Sequence, residues 1–152
     1  MDNVLDPAHP SHSDYLISTN GWRAEQIFDS DAPLDDMTIQ RLINELESHA
    51  LERCGFITTS PEEIVVVQNS HDNPRMNFFM ETDDFTASLE YIYESTQREV
   101  LGIWHTHPNG YGWPSPRDIA GWPNLALGWR YFLVFRGNVT EWRLVRDDSN
   151  TL

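Results

Sequence analysis

The stretch VLGIWHTHPNGYGWPSPRD, residues 100–118, decides the fold. Val100 to His107 are mostly apolar and read as a strand in the middle of a sheet. Side chains alternate along a strand, so His105 and His107 share one face while Trp104 and Thr106 take the other. Pro108 ends the strand, and the glycine-bearing loop Asn109 to Pro114 turns the chain back. Ser115-Pro116 then opens a short helix, because proline suits the first helical position. Positions three apart share a helical face, so Ser115 and Asp118 can point at one place.

Two imidazoles on one strand face can reach a single ion at the roughly 2.0–2.1 Å that zinc prefers. Asp118 would complete a set of two histidines and one carboxylate, with a fourth position left for water. A plainer account also exists. The histidines could form a half-buried polar face, and Ser115 and Asp118 a helix cap with a favourable first-turn acid. Whether Asp118 faces the histidines separates the two accounts. Other metal folds built on His-x-His fit poorly. Asn109 stands where the metallo-β-lactamase pattern needs aspartate, the loop lacks the cupin glutamate, and a TIM barrel of about 250 residues exceeds this chain.

Upstream, Ile39, Leu42, Ile43, Leu46 and Ala50 fall at helical spacing, which predicts a helix capped by Thr38 and ending near Arg53. Cys54 to Thr59 and Ile64 to Gln68 read as strands, and Asn77 to Met80 as another. A second helix, capped by Thr82 or Asp83, should turn Phe85, Leu89, Ile92, Tyr93 and Thr96 inward. Downstream, Arg130 to Phe135 and Val139 to Val145 read as strands joined at Gly137-Asn138. This order gives a mixed α+β domain whose sheet needs helices to cover its apolar faces. We place that domain at residues 37–147, after an N-terminal arm at 1–36 that carries one or two short strands or is partly disordered, and before a tail at 148–152. His9 and His12 lie in the arm.

The 152 residues suit one domain, and 39% hydrophobic with 12% aromatic residues is a folding composition. Six tryptophans fit a core better than an exposed peptide surface. The formal net charge of -14 disfavours nucleic acid; it serves solubility before anything else, and an acidic surface would also steer basic partners. Cys54 is the only cysteine, so no intrachain disulfide forms, and we expect its thiol buried and inert. No basic start with an apolar run marks a secretory signal, and no stretch is apolar enough to span a bilayer, which predicts a soluble cytoplasmic protein with no membrane partner.

Glu52-Arg53-Cys54-Gly55, followed by His105-Thr106-His107-Pro108 and Ser115-Pro116-Arg117-Asp118, resembles the JAMM motif of MPN-type metallopeptidases. The resemblance covers roughly Thr38 to Val145, and the short form is similar to stand-alone prokaryotic and phage tail-associated members. It implies an MPN/cytidine-deaminase-like fold of three layers. It also implies one zinc per chain on His105, His107 and Asp118. Glu52, expected at the end of the first helix, would be the general base, and Ser115 would help hold the oxyanion. The implied activity is hydrolysis of a peptide or isopeptide bond at the C-terminal tail of a ubiquitin-like or sulfur-carrier protein. The alternatives are a phage or prophage tail-assembly peptidase acting on a virion protein, and a non-catalytic MPN scaffold. His49 and His71 are candidates for outer groups around the metal or for solvent-facing side chains. Trp113, Trp122 and Trp129 would line either a substrate groove or the core.

Overall fold

The computed structural model describes residues 21–75 and 77–146. Its strands are β1 (Trp22–Ile27), β2 (Cys54–Thr58), β3 (Ile64–Val67), β4 (Val100–Thr106), β5 (Arg130–Phe135) and β6 (Asn138–Arg146). The helices are α1 (Asp36–Ser48), α2 (Thr82–Glu90), which runs on into a π-helical turn at Tyr91–Ser95, and α3 (Pro116–Ala120). All six strands form one sheet in the order β1-β6-β5-β4-β2-β3. Every neighbouring pair is antiparallel except β4 and β5, which run parallel. A parallel pair needs a crossover connection. Here that crossover carries the loop after β4, α3 and a 3-10 turn at Leu125–Leu127.

Alternation along the strands gives the sheet two apolar faces, and each has its own core. On one face, Ile57, Trp104, Phe132 and Val134 pack with Leu42 of α1, flanked by Ile39, Ile43 and Leu46. Leu42 is fully buried, so truncating it to alanine would cost about 2–5 kcal/mol. On the other face, Cys54, Phe56, Ile103, Tyr131 and Leu144 pack with Phe85 of α2 and Ile92 of the π turn. Helix, sheet and helix make the three expected layers. No helix among the described residues is long and apolar enough to cross a membrane.

Several local expectations are corrected. Helix α1 starts at Asp36 after Asp35, so Thr38 is a buried residue inside it and not its cap. It stops at Ser48, because His49 is already extended and Glu52 and Arg53 are tied to other segments. Ala50 is therefore off the helix and exposed. Helix α2 begins after Glu81, one residue before the expected caps. In the π turn, Thr96 N–H reaches back five residues to Tyr91 O, which widens the helix. Ile92 stays inward while Tyr93 is 44% exposed.

Residues 77–80 are not a strand. The N–H of Phe79, which a strand would spend on a neighbour's carbonyl, donates to the Asn69 side chain. The β5–β6 turn lies at Arg136-Gly137, since Phe135 pairs with Asn138. Both turn residues have positive φ, 46° and 77°, as a two-residue hairpin of the primed type requires. Residues 22–27 of the N-terminal arm form β1, which pairs along its length with β6. His9 and His12 lie outside the described residues.

Candidate metal centre

Strand β4 delivers the two histidines from the interior of the sheet. His105 and His107 are buried on the face that α2 and α3 share. Across the ladder Cys54 pairs with His105, and the register carried two residues further brings Glu52 opposite His107. Glu52 is not on α1 as expected. It lies in the short link from α1 to β2, where its N–H donates to Pro74 O at 2.7 Å. On the far side of the histidines, the crossover brings in α3. Ser115 caps this helix, its Oγ accepting from Asp118 N–H at 2.9 Å. In return Asp118 Oδ2 accepts from Ser115 N–H at 2.8 Å, which completes a capping box.

That same Oδ2 lies 3.2 Å from His105 Nε2 and 3.1 Å from His107 Nε2, and the two Nε2 atoms are 3.0 Å apart. Asp118 therefore faces the histidines while it also caps the helix. The two accounts of Ser115 and Asp118 are not alternatives here; one geometry serves both. Ligand atoms of Glu52, His105, His107 and Asp118 all lie within 4.8 Å of one another, and all four residues are buried.

The tautomer of His107 follows from its other nitrogen. Nδ1 sits 2.8 Å from the carbonyl of Tyr111, and a carbonyl only accepts, so Nδ1 carries the proton. Nε2 then presents a bare lone pair to the cluster. Tyr111 lies next to Gly112, where any Cβ would come within 2.6 Å of the Phe135 ring. The loop can lie this close to β5 only because residue 112 has no side chain.

Electrostatics at the site favour ligand forms of the side chains. Burial drives His105 toward the neutral imidazole, against the pull of Asp118. Burial also pushes Asp118 upward, yet the two imidazoles outweigh it and hold the carboxyl well below the usual carboxylate range. Glu52 is pushed up to about 9, first by burial and then by the charge of Asp118. Burial raises the Cys54 thiol as well, and its Sγ rests on Val67 O in a fully buried position. The thiol is inert.

A tetrahedral ion with ligands at about 2.0–2.1 Å has ligand-to-ligand edges of about 3.3 Å. The triangle of 3.0, 3.1 and 3.2 Å is close to one face of such a tetrahedron. The donor set, two imidazole nitrogens and a carboxylate oxygen, is one that zinc takes. Buried side-chain atoms without a hydrogen-bond partner are costly and rare in a folded interior. Among the described residues three stand out: Glu52 Oε1, His105 Nδ1 and Tyr131 OH. Two belong to the cluster, and the Tyr131 ring meets His105 edge-on at 5.5 Å. The residues fit a bound cation.

Other candidates fall away from this centre or line its rim. His49 pairs with Glu45 at 3.4 Å and is exposed. His71 lies in the 69–79 segment, with its ring against Phe79. Trp122 is buried and stacked on Tyr131 at 3.6 Å, and Trp129 packs edge-on against Phe56. Trp113 alone of the three is on the surface, 57% exposed and stacked on Tyr111 at 4.6 Å. Phe78, stacked on His105 at 4.4 Å, and the Tyr111 carbonyl were not foreseen. No sequence signal marks a backbone carbonyl, and Phe78 read as a residue of the strand that does not form.

The model of prokaryotic homologs of the JAB domain matches residues 38–146, and the chain belongs to that family. No curated protein matches the chain. Among solved structures, the chain is similar to protein DSY2949 from Desulfitobacterium hafniense, known from its solution structure. The TM-score is 0.56 at 15% identity, over 76% of this chain and 84% of that one. A likeness at this identity establishes the shared fold alone.

Proposed function

We propose that the chain is a zinc-dependent peptidase hydrolysing a peptide or isopeptide bond at the C-terminal tail of a ubiquitin-like or sulfur-carrier protein in the cytoplasm. One observation carries this reading: His105 Nε2, His107 Nε2 and Asp118 Oδ2 converge in a buried triangle with the Glu52 carboxyl beside it. These three atoms would hold the zinc, which when bound supplies a Lewis acid and brings the pKa of water near 7. Glu52, drawn back to the carboxylate by the charge of the bound ion, would then take the proton of the attacking water and pass it to the leaving amine. Its unpartnered Oε1 is free to do so. Helix capping uses a lone pair of Ser115 Oγ, so the hydroxyl proton can serve the carbonyl oxygen as it becomes tetrahedral.

The open edge of the sheet supports docking of an extended tail. Strand β3 is an edge of the sheet, paired on one side by β2. Its end opens on a cavity of about 290 Å³ lined by Glu52, Arg53, Gln68, Asn69 and Pro74. A flexible tail added beside β3 gains main-chain hydrogen bonds and is led toward Glu52. The acidic surface suits a carrier with a basic face.

The test begins with protein purified without a metal-affinity tag. About one zinc per chain in the native protein, absent from His107→Ala, is expected. Carrier-protein fusions are then screened, with Glu52→Ala as the inactive control. A native chain that takes up no zinc would end the peptidase reading and leave a scaffold.

A further inference from the structure

We propose that Asn69 is the positioning residue for Glu52, a proposal that rests on Glu52 as the proton carrier of the reaction. Asn69 lies just past the end of β3, far from Glu52 in sequence, yet its side chain reaches the Glu52 backbone. Nδ2 donates to Glu52 O at 2.8 Å and to Asn77 O at 2.9 Å. Oδ1 accepts from His71 N at 3.1 Å and from Phe79 N at 3.3 Å. All four bonds that orient the amide are mutually consistent. Rotating the group by half a turn would set oxygen against two carbonyls and NH₂ against two N–H groups, so its orientation is defined by its partners.

The consequence for Glu52 is that the 69–79 segment holds both of its backbone groups. The N–H goes to Pro74 O and the carbonyl to Asn69. The next residue is fixed on the other side, because Arg53 N donates to Thr106 Oγ1 and Thr106 N donates to Arg53 O, each at 2.9 Å. Glu52 is thus clamped between this segment and the strand that carries the histidines. Its carboxyl has one oxygen with no partner, so the side chain is placed largely through its backbone. The same segment lays Phe78 on the His105 ring at 4.4 Å and 25°. One carboxamide therefore sets the proton carrier and steadies the cover of a ligand histidine.

The experiment compares the full chain with Asn69→Asp, Glu52→Gln and the double variant, each loaded with cobalt(II). Asn69→Asp keeps the two bonds that Oδ1 accepts and loses both that Nδ2 donates. We expect one cobalt per chain in all four, and a visible spectrum in Asn69→Asp that departs from wild type. In the double variant the spectrum should match Glu52→Gln, because Asn69 acts through Glu52. On a cleaved fusion, kcat in Asn69→Asp should fall roughly 10- to 100-fold with KM within about twofold, the size of effect a misplaced catalytic group gives. Amide exchange at His71 and Phe79 reports whether the segment stays folded; if Asn69→Asp opens it, Asn69→Ala is used with the same expectations. A wild-type spectrum and kcat in the Asn69 variants would overturn the proposal, as would a further spectral change on top of Glu52→Gln. Should wild type bind metal but cleave no fusion, the peptidase reading fails on its own, and the spectral comparison still decides the role of Asn69.

Discussion

His107 Nδ1 donates to the carbonyl of Tyr111 at 2.8 Å, so a backbone group four residues before the helix cap Ser115 decides which nitrogen of the imidazole is free. Outer hydrogen bonds of this kind fix the tautomer and the ring orientation of a ligand histidine. The loop that supplies the carbonyl is held against β5 through Gly112 and the Phe135 ring.

Gly112→Ala tests that link. The new methyl would meet Phe135 at 2.6 Å, so either the ring or the loop must shift. Overpacking of this kind costs about 1–3 kcal/mol, seen as a lower urea midpoint at unchanged m-value. Zinc affinity should fall by roughly 10- to 100-fold, as when an outer hydrogen bond is disturbed. Unchanged affinity would mean that the Tyr111 carbonyl does not govern His107.

Asp118→Asn separates the cap from the ligand. The amide oxygen can still accept from Ser115 N–H, so α3 should form, while the metal-free protein loses the stabilisation that the histidines give the buried carboxylate and should unfold at lower urea. Charge toward the histidines is lost, and zinc affinity, measured against a competing chelator, should drop by at least on the order of 100-fold.

Ser115→Ala removes the other half of the capping box. Loss of the bond to Asp118 N–H should cost about 0.5–2 kcal/mol in denaturant unfolding. Asp118 also loses the partner that orients it, so weaker zinc binding should accompany the loss of stability.

Glu52 gives the metal-free protein a pH signature. Its folded value of about 9 lies above the ordinary 4.5, so over that span the folded chain keeps a proton that the unfolded chain has released. The stabilisation is complete below 4.5 and is lost as pH rises toward 9. His105, held below its ordinary 6.5, acts in the opposite sense only below that pH. Between pH 6.5 and 9 the stability should therefore decline, by at most about 1.4 kcal/mol per pH unit. Glu52→Gln, which mimics the protonated carboxyl, should flatten the decline in urea titrations. An equal slope in both proteins would count against a buried, protonated Glu52.

Much of this was legible in the chain because periodicity carries it. The two-residue spacing of His105 and His107 put them on one face, and Leu42 with its helical neighbours marked the face that α1 buries. Ser115, Pro116 and Asp118 spelled out a helix start. What escaped was set by contacts between segments distant in sequence. Asn69 takes the Phe79 N–H that a strand would have used, so 77–80 loops instead of pairing. The end of α1 is dictated by Pro74 and Thr106, not by its own apolar stripe. Tyr93 turned outward because of a single wide turn that no residue type announces.

The pairing of Cys54 with His105 has a consequence for how this chain tolerates insertion and deletion. Glu52 just before β2 and Cys54 at its start, and His105 in β4 and His107 just past its end, repeat one two-residue step along facing segments. Adding or removing a single residue between the members of either pair would turn one of them to the opposite side of the sheet, toward α1. The Asn109–Pro114 loop is under a different rule: its tip at Gly110 is exposed, but the stretch from Tyr111 to Gly112 is anchored. A library that varies length should therefore find its survivors at the loop tip, and almost none in the strands.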